Sequence, residues 1–378
     1  MFCECEQDGF CARYQREMAG RNRELCQGVN VDLGTAAAFR AAWASEVKIP
    51  PTTSNARHLL LKMDQAPGDA VAMTAAIYSL HRDHPGKYIT SVESYWPEVF
   101  ENNPDVFFNV MPLGEQRIEN FSDVDTVRMH YPAIHQSNDR AIHFMQAWCE
   151  HLGSALGVSI PLACNRPQLY FDNVKPQLQR RYNYWIVCAG GKNDFTTKLW
   201  GHDNYQRVVS MLFGKVHFVQ VGGSRPPVAW ADHMRGSQDD VGHDPLTCAE
   251  YMVGKTSLRD LFDVVRHARG VLCGVSLLMH VAAACDVPAV VIAGGREPVA
   301  WNAYPKQQYV HTVGALPCSS SQGHKGQACW RYRTVPLGDG APMDNSACER
   351  PVNGTPECMS MITPQEVANL ILRYNDAR

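Results

Sequence analysis

Two mostly parallel α/β sheets in tandem, each Rossmann-like, are what this sequence predicts, and three observations carry the prediction. Short apolar runs alternate with helical patterns from residue 57 onward, which is the signature of a parallel sheet. The alternation occurs twice, on either side of a proline-bearing stretch with Pro161, Pro167 and Pro176. The segment 270–295 is a complete strand-loop-helix-strand unit: Gly270 to Gly274 end a strand, Ser276 is an N-cap, 277–285 form a short apolar helix, and 288–292 return as the next strand, closed by Gly294 and Gly295.

Composition sets the bounds. At 378 residues the chain is long for one core, and 45% hydrophobic with 19% charged residues is ordinary globular composition. No run of about 18 apolar residues offers a membrane span. A formal net charge of −3, with Lys and Arg scattered, gives no general pull toward nucleic acid, so the expected partners are small molecules or proteins, with self-assembly allowed. The first residues are neither basic nor apolar, so no signal peptide is expected, the expected address is cytoplasmic, and the 14 cysteines read as thiols or metal ligands.

In chain order, residues 1–50 form a cysteine-rich appendage. Cys3, Cys5, Cys11 and Cys26 sit in polar sequence with little periodicity, and four thiolates on one metal, or four unrelated thiols, are the two readings. Residues 51–175 form the first domain: a strand from Arg57 to Met63, a loop at 64–69, a helix over 70–84, a strand at 88–92, a short helix at 95–102, a strand at 105–110 and an amphipathic helix over 139–156. Asp69 lies where the first strand meets its helix, the sheet edge at which α/β proteins bind ligands, although a carboxylate there also suits the helix N-terminus.

Residues 176–310 form the second domain. A strand at 184–188 runs into a small-residue loop with Thr196, Thr197 and Lys198, which suits a diphosphate because hydroxyls and amides donate while the ammonium neutralises charge. A helix to Leu212, a strand at 217–222 and a helix at 257–268 lead to the 270–295 unit. The start of its helix, Ser276 and Leu277, with His280 one turn on, reads as a phosphate site, with a buried core histidine as the alternative. Gly294, Gly295, Arg296, Glu297 and Pro298, with Trp301 and Tyr304, follow the last strand and could wall a nucleotide pocket; Trp301 is equally suited to stacking on a base or packing in the fold.

Residues 311–362 read as a loop segment rich in Gly, Ser and Pro. Its four cysteines, Cys318, Cys329, Cys348 and Cys358, need something to order them, and a tetrahedral zinc or iron would do so. Thr363, Pro364, Gln365 and Glu366 are a capping box that opens a last helix, 363–378.

Leu59, Leu60, Leu61, Lys62 and Met63 ahead of Gly68 and Asp69, then Thr197, Lys198, Leu199 and Trp200, then Ser276 with His280 and its alanines, together resemble glycosyltransferase family 9, the ADP-heptose heptosyltransferases. The resemblance implies a GT-B fold, two Rossmann-like domains facing across a cleft, with the acceptor on the first domain and the nucleotide sugar on the second. It also implies inverting transfer without a catalytic metal, with Asp69 as the general base, Lys198 on the donor diphosphate, and Ser276 and His280 in the donor motif. The sugar is expected to be heptose or a relative, carried by ADP or another nucleotide, and the acceptor a protein, glycan or small molecule. One place departs: the family's sugar-contacting aspartate, five residues ahead of the histidine, is Val275 here. Related heptosyltransferases that modify autotransporters carry a four-cysteine iron site. A nucleotide-sugar epimerase, or a nucleotide-sugar-binding protein without catalysis, is the alternative.

Overall fold

The computed structural model describes residues 56–110, 124–130, 140–171, 182–223, 240–241, 243–319, 329–338, 340 and 342–376. Cys3, Cys5, Cys11 and Cys26 lie outside the described residues.

The first sheet is β1 (Arg57–Met63), β2 (Tyr88–Ser94), β3 (Phe108–Val110) and β4 (Val124–Arg128), all parallel in the order β3-β2-β1-β4. Leu59 and Leu61 are buried on one side of β1 while Leu60 is buried on the other, as expected of a central parallel strand covered on both faces. Between β1 and β2 runs α1 (Pro67–Asp83), with Pro67 in its first turn and Asp69 close behind; α2 (Phe144–Leu156) packs beside it.

The second sheet collects β5 (Trp185–Cys188), β7 (Phe218–Gln220), β9 (Ala249–Tyr251), β10 (Gly270–Gly274), β11 (Ala289–Gly294) and β12 (Gln307–His311) in the parallel order β12-β11-β10-β5-β7-β9, while β6 (Gly191–Lys192) and β8 (Asp240–Val241) pair antiparallel as a ribbon beside it. Its helices are α3 (His202–Met211), α4 (Leu258–Arg266), α5 (Leu277–Ala284) and α6 (Val299–Asn302). In both sheets the chain reverses its direction of growth beside the first strand, between β1 and β4 and between β5 and β10, and the crevice at such a reversal is where open α/β sheets bind ligands. Asp69 follows β1, Lys198 follows β5 and Ser276 follows β10.

Three local expectations are corrected. The 95–102 helix is a single tight turn over Pro97–Phe100, because Pro97 and Pro104 leave no room for a longer one. The helix expected to start at 139 starts at Phe144. The segment 311–362 is not all loop: it holds the hairpin β13 (Pro351–Val352) and β14 (Thr355–Pro356) and the short α7 (Glu357–Ser360).

The last helix, α8 (Pro364–Asp376), opens as predicted, with the Thr363 hydroxyl accepting from the Glu366 amide. The resemblance to GT-B enzymes implies a last helix that packs back on the first domain. Here it packs on α3 and β11, with Val367, Ala368 and Ile371 in a core shared with Val208 and Ile292. Trp200, fully buried, donates its indole N–H to the Ile362 carbonyl at 2.9 Å and ties the start of this helix to the second domain.

Candidate functional site

The site begins where two helix starts meet. A Cβ on Gly68 would lie 3.1 Å from His280 Cδ2 and 3.4 Å from Leu277 Cα, so α1 runs close against α5 here and a side chain would press on the His280 ring. The contact brings the start of α1, which carries Asp69, to the start of α5 from more than 200 positions away in the chain, and the Asp69 carboxylate is felt at Tyr304.

His280 is buried, and its Nδ1 lies 2.7 Å from the Tyr304 hydroxyl. His143 packs its ring on the other side of Tyr304, centroids 4.8 Å apart, and caps α2 by accepting the Met145 amide on Nδ1. Burial pushes the His280 pKa down to about 3, with His143 and Lys198 pushing the same way against Glu297; burial takes His143 down to about 4. Both rings are neutral at physiological pH. Burial also drives the Tyr304 phenol upward, and the nearby Asp69 carboxylate adds to the shift.

Lys198 closes the other side. Its ammonium lies 2.8 Å from Glu297 Oε1, which also accepts from Arg296 at 2.8 Å, while Glu297 Oε2 accepts from the Asn302 amide at 3.1 Å. Burial opposes ionisation of Glu297, but Lys198 and Arg296 outweigh it and hold the carboxyl below its usual range. Ser276 stands at the N-cap of α5 as predicted, yet its side chain makes no cap hydrogen bond.

The two threonine hydroxyls bond to the 331–334 strip. The Thr197 hydroxyl donates to the carbonyls of Arg331 and Tyr332, and Thr196 Oγ1 accepts the Thr334 amide at 2.9 Å. Gly294 and Gly295 also turn to the cysteine segment. Gly294 has φ +60°, and a Cβ there would overlap the Met359 sulfur; one on Gly295 would lie 2.8 Å from Ser319 Cβ. Trp301 is packed, not open, between Phe144 and Trp330.

Cys318, Cys329, Cys348 and Cys358 all line one pocket, with Thr197 and Arg296 on its wall. Burial raises the pKa of Cys318, Cys348 and Cys358, and neighbouring thiols of the set add to each shift, so the four sulfurs share one neighbourhood. Among the described residues no three or more His, Cys, Asp or Glu side chains are arranged as a ligand shell. The cysteines are brought together but not drawn onto one point.

The sequence missed His143, because histidine is not an ordinary N-cap residue, and it gave Glu297 no partner. The only signal for Glu297 was its place after two glycines at the end of β11.

Residues 144–328 match the model of glycosyltransferase family 9 (heptosyltransferase). No curated protein matches the chain. In fold it is similar to the iron-containing dodecameric glycosyltransferase TibC of enterotoxigenic E. coli, with TM-score 0.56, 16% identity, and 85% of this chain and 77% of that one covered. TibC has also been solved with ADP-D-beta-D-heptose, an alignment at TM-score 0.55, 15% identity and the same coverage. It is likewise similar to E. coli ADP-heptose lps heptosyltransferase II, with TM-score 0.53, 14% identity and coverage of 85% and 99%, and to a family 9 glycosyl transferase of Veillonella parvula, with TM-score 0.56, 12% identity and coverage of 86% and 98%. With the family 9 match on residues 144–328 and two parallel sheets like those of the heptosyltransferase structures around it, the chain has a GT-B-type fold and a segment that resembles glycosyltransferase family 9.

Proposed function

We propose that this protein moves a sugar from a nucleotide-sugar donor to an acceptor hydroxyl, with inversion and without a catalytic metal. The acceptor is assigned to the 51–175 domain and the donor to the 176–310 domain. Supporting this reading above all is the approach of Gly68 to His280 and Leu277, which brings the helix start that carries Asp69 to the start of α5. In the reaction Asp69 takes the proton of the attacking hydroxyl as the new bond to the sugar forms, and the bond from the sugar to the nucleoside diphosphate breaks. Lys198, Arg296 and the start of α5 offset the charge on the departing diphosphate. His280, neutral, can contribute a hydrogen bond but no charge.

The donor class is ADP-heptose or a related nucleotide sugar, in keeping with the ligand of TibC and the name of heptosyltransferase II. No described helix is long and apolar enough to cross a membrane, and a cytoplasmic location is part of the proposal. Self-assembly is as well, since TibC is dodecameric. A structural zinc or iron on Cys318, Cys329, Cys348 and Cys358 completes the reading, supported by four soft thiol donors around one pocket and by the iron in TibC. The same holds, on sequence alone, for Cys3, Cys5, Cys11 and Cys26.

Asp69→Asn tests the chemistry. General-base catalysis contributes roughly 10²–10⁴-fold, so transfer should fall by that factor with donor affinity little changed. A loss of less than about tenfold would remove Asp69 from the base role.

A further inference from the structure

The turn that carries Lys198 is held from outside the region matched by the family model, which ends at residue 328. The Thr197 amide donates to the Tyr332 carbonyl at 3.1 Å, its hydroxyl to the Arg331 carbonyl at 2.9 Å, and the Thr334 amide to Thr196 Oγ1. Arg296 joins the same strip: its Nε donates to the Arg331 carbonyl at 3.1 Å, and its guanidinium lies 5.3, 5.1 and 5.9 Å from the ring centroids of Phe195, Tyr332 and Trp330. The other end of that guanidinium bonds Glu297, which holds Lys198. A continuous line therefore runs from the Arg331 carbonyl through Arg296 and Glu297 to the ammonium.

The strip is anchored in turn. The Tyr332 amide donates to the Ser346 carbonyl and the Cys348 amide to the Arg333 carbonyl, while Arg333, completely buried, pairs with Asp344.

Lysine is a point charge on a flexible stem and cannot aim itself, whereas a planar guanidinium held at both ends can fix what it touches. We infer that Arg296 is a positioning residue for Lys198, and that residues 329–334, between Cys329 and Cys348, are a working wall of the donor site whose order is coupled to donor binding. This rests on the assignment of Lys198 to the donor diphosphate. Because coupling between two sites is reciprocal, a nucleotide that needs the turn in place must also slow the opening of the strip.

The test uses the full-length protein with ADP as the probe and backbone amide exchange as the readout. Saturating ADP should slow exchange of the Thr197, Tyr332 and Thr334 amides by at least about threefold. Arg296→Lys keeps the charge but not the two-ended grip; it should weaken ADP about tenfold, abolish the ADP dependence at 332 and 334, and raise the donor KM more than it lowers kcat. A merely structural Arg296 would change exchange without nucleotide but not its response to nucleotide. Thr197→Val, which removes only the hydroxyl, should show the same pattern more weakly and serves if Arg296→Lys does not fold. If Lys198→Ala leaves ADP affinity unchanged, the donor assignment fails and this inference with it. If Lys198→Ala weakens ADP while the 332 and 334 amides ignore it and Arg296→Lys or Thr197→Val binds it normally, this inference alone is overturned.

Discussion

Mild acid should destabilise this protein through two histidines. His280 and His143 are held neutral by burial, with pKa values of about 3 and about 4, against roughly 6.5 for an unfolded histidine. Their folded pKa values lie below the unfolded one, so the unfolded chain takes up protons first as pH falls. Their contribution is therefore complete above about pH 6.5 and is lost as pH drops through 6.5 toward about 4 and 3. At about 1.36 kcal/mol per pH unit, each ring should remove about 2 kcal/mol between pH 7 and pH 5, and the pair about 4 kcal/mol. Urea unfolding followed by tryptophan fluorescence at the two pH values measures the loss. The comparison is a variant carrying His143→Gln and His280→Gln, whose own pH dependence should be smaller by about that 4 kcal/mol. His81, also lowered by burial, titrates in both proteins and cancels. If the variant loses as much stability as the wild type between pH 7 and pH 5, the two rings are not buried neutral and the account of the site's charge is wrong.

Two further outcomes follow from the cysteine segment. Gly294→Ala puts a side chain at φ +60° and into the Met359 sulfur; it should cost more than about 2 kcal/mol in thermal unfolding and speed alkylation of Cys358, which is carried on the same short helix. Elemental analysis of purified protein should find about one equivalent or more of zinc plus iron per chain; less than about half an equivalent, with every cysteine titrating freely in the folded state, would exclude a resident metal.

Much of the architecture was legible because it is local. The strands announce themselves as short apolar runs, leucine-rich in β1 and β-branched in β11, and Thr363 with Glu366 is by itself enough to mark the start of α8. What stayed hidden is non-local. The close fit at Gly68 arises from His280, and the hydroxyl of Thr197 is claimed by a carbonyl 134 residues away. The amphipathic pattern of α8 shows which face is apolar but not which sheet will cover it, so its docking on α3 could not be read from the sequence. His143 shows the same limit in miniature. Its capping role depends on a ring nitrogen reaching a nearby amide, and its ring packs on Tyr304, which lies in the loop ahead of β12.

On the proposed assignment of the donor to Lys198, charge narrows what the pocket can select. Lys198 and Arg296 bring two positive charges, Glu297 removes one, and the histidines bring none, so the side chains leave one net positive charge for a diphosphate that carries about two negative ones. The first amides of α5, which the Ser276 side chain does not cap, are the nearest further donors. Glu297 is also the buried carboxylate beside Lys198 that could stand in for the acid replaced by Val275. It is already bonded to Lys198, Arg296 and Asn302. Turning it toward a sugar hydroxyl would leave the buried Arg296 and the half-buried Lys198 without their partner, a cost of up to about 3–5 kcal/mol when a buried pair is broken, for a charged hydrogen bond worth about 1.5–3 kcal/mol. Glu297 therefore stays with Lys198, and discrimination among sugars has to come from the shape of the pocket wall rather than from a carboxylate in the place the family uses.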